Sequence, residues 1–423
     1  MSEPVFEALN PETLPQRLGE IAALTSRLGP DQENWAVREV GDGNLNLVFI
    51  VDGTAGTVVV KQALPYVRLV GESWPLPLKR SFFEYHALKR QAERDPGMVP
   101  ELLYFDEGQA IIVMEFLHPH VILRRALIDG QQLPKIGRDL GLFVARTLFR
   151  GSDLSMTPRA RKEDMALFAD NVELCDITEN LVFSDPYFEA ALNRHTTPQL
   201  DGIVEELRRD RDLKVEAQRL KHMFASRAET LLHGDLHTGS VMVTPDETRV
   251  IDPEFAFYGP MAFDVGMLLA NFWMSYFSQS GHETTPGDRE PMRAYLLDVI
   301  DEIWETFRAE FAHLWRSERN GMLYQASLFE DRGDALASEQ ALNGVIADIW
   351  TDMLGFAGVE MHRRILGLAH NADFETIADA DRRAVSETRA LKLGRHLAVN
   401  RTRIHSLAEI RATAEALEKE RLS

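Results

Sequence analysis

Between Thr230 and Gly266 the chain reads TLLHGDLHTGSVMVTPDETRVIDPEFAFYGPMAFDVG, a stretch dense in side chains able to do acid–base and metal chemistry. One cluster, His233, Gly234, Asp235 and His237, precedes the short apolar run Ser240-Val241-Met242-Val243, and a second, Asp252 and Glu254, follows the run Arg249-Val250-Ile251. Both runs have strand length and are separated by Thr244-Pro245-Asp246-Glu247, a turn composition, so they predict a hairpin. Antiparallel pairing would bring Asp235, Ser240 and Asp252 to one end of it. Carboxylates so placed can orient a hydroxyl and hold a hard cation such as Mg²⁺, which takes a few carboxylates together with phosphate oxygens and water. His233 and His237, four apart around an aspartate, invite a zinc reading as well. Gly234 and Gly239 argue against the helix such a pair needs, and no third ligand is evident. Histidines that hydrogen-bond backbone and hold the loop are the alternative.

A phosphate-bearing ligand also needs a positive side, and the elements upstream offer one. Val37–Val40 and Leu47–Val51 read as strands around Gly41-Asp42-Gly43-Asn44-Leu45-Asn46. A glycine turn can bring backbone N–H groups close to phosphate, although a plain hairpin has the same composition. The turn lacks a third glycine, and Asn44 can substitute because it tolerates left-handed backbone. The next strand, Thr57–Lys61, ends its apolar run on Lys61, which is either an edge-strand lysine or one that reaches the α- and β-phosphates. A helix expected over Lys79–Arg94 stops at Asp95-Pro96-Gly97 and carries Glu84, a candidate partner for Lys61. Two further strands, Glu101–Phe105 and Ala110–Met114, lead to the connector Glu115-Phe116-Leu117-His118-Pro119-His120, which closes the first lobe. Residues 5–28 read as a helical entry. From Val121 onward helical periodicity dominates, with long helices over 133–150, 215–229, 261–277, 289–316, 337–368 and 382–399 and loops around 151–162 and 176–186.

These elements predict an α+β, bilobal chain: a small N-terminal lobe (1–116) built on a five-stranded antiparallel sheet, and a large, mainly helical C-terminal lobe (117–423). At 423 residues, two lobes are the default expectation. Hydrophobic content of 45% and charged content of 26% fit a globular protein. No apolar run reaches membrane-helix length and the acidic N-terminus does not read as a signal peptide. The single cysteine, Cys175, excludes an intramolecular disulfide and fits the cytoplasm. A formal charge of −20 argues against nucleic acid as a partner, and it obliges any nucleotide site to be built from local cations, backbone N–H groups and a metal ion.

The order of glycine turn, strand lysine, helix glutamate, hinge, HGDLHTGS and IDPE resembles the protein-kinase-like phosphotransferases, and Asp235 to Ser240 is the interval between catalytic Asp and metal-binding Asn in the kinase catalytic loop. HGD in place of HRD resembles the aminoglycoside and choline kinase branch, which acts on small molecules. Within it, GDGNLN (41–46), KQALPY (61–66), VGESWPL (70–76), ELCDITENLVF (173–183), HGDLHTGS (233–240), DPEFAFYGP (252–260) and RRILGLAH (363–370) look like the 5-methylthioribose kinases, over nearly the whole chain. The resemblance implies transfer of the ATP γ-phosphoryl group to the anomeric hydroxyl of 5-methylthioribose in methionine salvage, by a Mg²⁺-dependent homodimer. It implies Asp235 as the residue that accepts or orients the hydroxyl proton, Asp252 and Glu254 as metal ligands, and Gly41, Gly43, Asn44, Lys61 and Glu84 as nucleotide-binding residues, with the backbone at Glu115, Phe116 and Leu117 meeting the adenine. Arg363 and Arg364, otherwise readable as helix-surface charge, would reach the sugar site, and Trp74, in the segment before the helix, would lie near it. Ser240 departs from the kinase Asn, and a hydroxyl is a weaker and shorter ligand than an amide oxygen. A kinase for another small alcohol and a non-catalytic nucleotide sensor are the competing readings. Two arginines disfavour a cationic acceptor, and retention of Asp235 disfavours a pure sensor.

Overall fold

Alternation of buried and half-buried residues along Thr57–Ala63 sets the plan of the first of two units. Val58, Val60 and Gln62 point to one face of the strand and Thr57, Val59 and Lys61 to the other, as strand geometry requires. The computed structural model describes residues 6–41, 45–67 and 71–420. The first unit comprises the chain up to His120 together with Asn171–Leu174 and Arg249–Ala256; the second comprises Val121–Asp170, Cys175–Thr248 and the chain from Phe257 onward.

The first unit starts with two short helices, α1 (Leu14–Gly19) and α2 (Ala22–Leu28), where one helical entry is expected. Its sheet has the strands β1 (Ala36–Glu39), β2 (Asn46–Asp52) and β3 (Thr57–Ala63). A separate pair, β4 (Tyr66–Val67) and β5 (Gly71–Pro75), and the helix α3 (Arg80–Arg94) precede β6 (Leu102–Asp106) and β7 (Ile111–Glu115). The sheet runs β1-β2-β3-β7-β6, antiparallel throughout, so β3 is central and Lys61 is no edge-strand lysine. On one face Val58, Val60, Phe49, Val51, Ile111 and Val113 pack against Leu14, Leu18, Leu24 and Leu28 of the two entry helices. The opposite face carries Lys61 toward Glu84 on α3. Buried Gln62 anchors the entry segment: its Oε1 accepts from Leu9 N–H at 2.7 Å and its Nε2 donates to Gln109 O at 3.0 Å. Trp74, in the segment before the helix, stands on the strand β5.

After β8 (Val121–Ile122) come the helices α4 (Leu123–Ile128), α5 (Ile136–Arg150), α6 (Pro158–Phe168), α7 (Val172–Leu181), α8 (Asp201–Arg209) and α9 (Arg211–Ser226). The loops expected around 151–162 and 176–186 are therefore partly helical. For α6 the local signal was present: Thr157 caps it by accepting from Ala160 N–H, and Pro158 occupies the first turn. Four short strands follow: β9 (Thr230–Leu231), β10 (Val241–Val243), β11 (Thr248–Val250) and β12 (Tyr258–Gly259). The turn expected between β10 and β11 is closed by Thr244 N–H donating to Glu247 O at 2.9 Å. The helices α10 (Ala262–Ser278), α11 (Glu290–Ser317), α12 (Ala335–Leu366), α13 (Ala372–Glu375), α14 (Ala380–Asn400) and α15 (Leu407–Lys419) complete the chain. Every residue of α10 is buried, its mostly apolar surface packing against α11, α12 and α14 and its Asp264 and Asn271 taking hydrogen-bond partners. Among the described residues no helix is long and apolar enough to cross a membrane.

Candidate active site

In the first unit, the Lys61 ammonium lies 2.8 Å from the Glu84 carboxylate and also contacts Asp252. Burial works against its charge, but Asp252, Glu84 and Glu254 outweigh that and raise its pKa above the ordinary lysine value. The same burial pushes Glu84 and Glu254 upward against the pull of Lys61. Asp252 adopts φ 69°, left-handed backbone that non-glycine residues rarely take. Its neighbour Glu254 is buried, accepts from Asn46 Nδ2 at 3.1 Å and lies 3.8 Å from the Arg80 guanidinium. Asn171 clamps the same segment by donating to the carbonyls of Glu254 (2.9 Å) and Ala256 (3.0 Å).

Carboxylate oxygens of Glu84, Asp252 and Glu254 lie within 4.8 Å of one another, a set of hard oxygens that fits Mg²⁺. Arg80 is fixed beside this cluster by donating through Nη2 to Leu45 O at 2.7 Å, just before β2, and to Leu64 O at 3.0 Å, just after β3. Gly41 is exposed, while Gly43 and Asn44 lie outside the described residues. At the end of β7, Glu115 N–H donates to Glu101 O at 2.9 Å and its carboxylate accepts from Glu101 N–H at 3.1 Å. Phe116 stacks on His118, Leu117 is buried and Trp74 is half-buried. A cavity of about 460 Å³ on this unit is lined by Lys89, Glu101, Glu115 and Arg249 among others and includes none of the Lys61 cluster.

In the second unit, the loop from Leu232 to Ser240 is held at both ends. Pairing of β9 with β12 sets Leu231 opposite Tyr258, and pairing of β8 with β10 sets Ile122 opposite Met242. Gly234 turns the chain at φ 87°, and its N–H and that of His233 donate to the buried Asp264 carboxylate at 3.1 and 2.6 Å. His237 Nδ1 accepts from Gly239 N–H at 2.9 Å, so in the neutral ring the proton sits on Nε2, 3.4 Å from the Asp235 carboxylate. Burial lowers the His237 pKa to about 3 and keeps it neutral. The Ser240 hydroxyl donates to Asp235 O at 3.1 Å. The zinc reading fails: both histidines turn Nδ1 to loop backbone, and the metal-capable group of three among the described residues contains neither.

Arg363 and Arg364 end α12 and are only 5% exposed, so they are not surface charge. Arg364 donates through Nη2 to Asp235 at 2.9 Å and through Nε to Glu360 at 2.6 Å; Arg363 Nη1 lies 3.8 Å from Asp235 and 3.5 Å from Glu360. Burial opposes ionisation of Asp235, yet His237, Arg364 and Arg363 outweigh it and hold the carboxyl well below the usual range. Sequence reasoning missed Arg80, Asn171, Asp264 and Glu360. For the last two a signal existed, since each is an acid inside an otherwise apolar helical run, and Glu360 stands four residues before Arg364.

The phosphotransferase enzyme family model matches residues 36–296. Methylthioribose kinase 1 of Oryza sativa subsp. japonica is 41% identical over 418 residues, covering 98% of this chain and 96% of the rice protein. The methylthioribose kinase of Escherichia coli is 41% identical over 97% of this chain and 98% of its own length, and that of Geobacillus kaustophilus 44% identical over 90% and 91%. On these identities, over nearly the full length of each chain, the chain belongs to the methylthioribose kinase family of kinase-like phosphotransferases.

Proposed function

We propose that this protein phosphorylates the anomeric hydroxyl of 5-methylthioribose with ATP, giving 5-methylthioribose 1-phosphate and ADP in methionine salvage. Phosphoryl transfer asks the protein for positioning and charge neutralisation more than for covalent chemistry. In this reading the first lobe (1–116) supplies most of the nucleotide site. Lys61, oriented by Glu84, holds the α- and β-phosphates, Gly41, Gly43 and Asn44 take part in nucleotide binding, and the backbone from Glu115 through Phe116 to Leu117 meets the adenine. Asp252 and Glu254 hold Mg²⁺, which when bound neutralises charge on the β- and γ-phosphate oxygens. The lobe from 117 to 423 holds the acceptor. Asp235 orients the attacking hydroxyl and takes its proton late, and Arg363 and Arg364 hold sugar hydroxyls and the transferring group.

The observation that carries this reading is the buried Arg363–Arg364 pair at Asp235. Two guanidiniums beside the catalytic carboxylate suit a neutral sugar and an incoming phosphoryl group, and would repel an aminoglycoside or choline. Purified protein given Mg-ATP and 5-methylthioribose is expected to release ADP in a coupled assay, and no ADP above the ATP-only control defeats the proposal. We further infer a cytosolic homodimer, on the family resemblance and the lone cysteine; light scattering that returns the 47.9 kDa mass of one chain at micromolar concentration would refute the dimer.

A further inference from the structure

Arg124 stands two residues after Ile122, whose partner Met242 lies just past the exit of the Asp235 loop. Its Nε is 3.1 Å from Thr238 Oγ1 and 3.1 Å from Asp373 Oδ2, and its Nη2 donates to Asn271 Oδ1 at 2.8 Å. Thr238, Asn271 and Asp373 are fully buried. Asn271 Nδ2 lies 3.4 Å from Glu360 Oε1, the oxygen that accepts from Arg364 Nε. Since Arg364 also donates to Asp235, a closed circuit runs from Asp235 through Arg364, Glu360, Asn271 and Arg124 to Thr238, and back along the loop. Gly239 lets the guanidinium lie against the loop: a Cβ there would sit 3.0 Å from Arg124 Nη1 and 2.8 Å from His237 Cε1.

We propose that Arg124 is a positioning residue for phosphoryl transfer, holding the turn at Thr238 and, through Asn271 and Glu360, the alignment of Arg364 on Asp235. The inference rests on the functional reading above. A planar fork is what two acceptors, Thr238 and Asn271, and a counter-ion, Asp373, on three elements require, and a lysine cannot serve all of them. The circuit locks the two ends of the loop relative to one another, so its loss displaces the Asp235 carboxylate without removing any group that touches a reactant.

The test compares wild type, Arg124→Gln, Arg124→Lys, Thr238→Val and the double variant Arg124→Gln/Thr238→Val, with turnover of 5-methylthioribose, ATP affinity and melting temperature measured on each. Arg124→Gln is expected to lower kcat by about 100-fold, the scale of an ångström-sized misplacement, with ATP affinity within about threefold of wild type. Arg124→Lys, keeping the charge and one contact, recovers part of that loss, and Thr238→Val costs about 10-fold on the same scale. The double variant is no slower than Arg124→Gln alone, because both act on one link. An active wild type with Arg124→Gln within threefold of its kcat, or losses that multiply in the double variant, overturns the inference. If Arg124→Gln does not fold, Thr238→Val decides alone, and a kcat equal to wild type overturns it. A wild type that turns over no 5-methylthioribose overturns the functional reading and this inference with it.

Discussion

Asp235 has a carboxyl held well below the usual range by His237, Arg364 and Arg363, which makes it a poor proton acceptor in the ground state. It can nevertheless orient a hydroxyl through a charge-assisted hydrogen bond and take the proton as the leaving group departs, and a loose transition state asks no more of it. Asp235→Asn keeps the shape and one acceptor but removes the charge. It is expected to cut kcat by roughly 10²–10⁴-fold. Nucleotide binding, measured by titration calorimetry, should persist, because the proposed nucleotide ligands are residues of the first unit. Turnover within threefold of wild type would remove Asp235 from the mechanism. Arg364→Ala tests a different property: it leaves Glu360, fully buried, without its 2.6 Å partner. Breaking a buried pair from one side costs about 3–5 kcal/mol, to be read as a lower urea midpoint. A stability within 1 kcal/mol of wild type, roughly the value of an exposed pair, would mean that Glu360 does not depend on that arginine.

At the scale of elements, the loop between β9 and β10 is shaped by contacts that are local in part. Gly234 and Gly239 were legible as glycines a helix would not keep, and the structure gives each a reason: left-handed backbone at the first, close approach at the second. Gly239→Ala pushes a methyl to within 3.0 Å of both His237 and Arg124, so one of them must move. Turnover is expected to fall between about 10- and 100-fold with a small drop in melting temperature, and unchanged turnover would show that the loop tolerates the shift. The sheet strands, α3 and the long helices were readable because period-two and period-3.6 patterns record burial directly. The β4–β5 pair carried no such pattern, and α6 was hidden by a polar sequence whose capping Thr-Pro was the only cue. Lys61, Asp235 and Asp252 announce themselves by motif. Arg80, Arg124 and Asn171 do not, because what makes them matter is partners far along the chain, Glu254 for both Arg80 and Asn171, and Asn271 and Asp373 for Arg124, a separation that local reading cannot span.

Over the whole molecule, a chain of charge −20 has to handle an anionic nucleotide with cations that burial keeps in place. Burial also leaves a signature in stability. His362 is fully buried: its Nε2 faces Leu391 O at 3.0 Å and must donate, its Nδ1 accepts from the Tyr187 hydroxyl at 3.1 Å, and burial lowers its pKa to about 4. His237 behaves alike, at about 3. In the unfolded chain each takes a proton near pH 6.5 that the folded chain refuses until much lower pH. The unfolded state therefore binds more protons across that window, and stability falls as pH drops from about 6.5 toward 4, by at most about 1.36 kcal/mol per pH unit for each histidine. Urea midpoints at stepped pH should show this slope, and His362→Gln should flatten it; an identical slope in the variant would place the loss elsewhere. The central claim, anomeric phosphorylation, is tested most directly by phosphorus and proton NMR of the product formed from Mg-ATP and 5-methylthioribose. The predicted result is a single new phosphomonoester coupled to the anomeric proton, formed in step with ADP. A phosphate coupled to any other ring proton, or inorganic phosphate and ADP with the sugar unchanged, would contradict it.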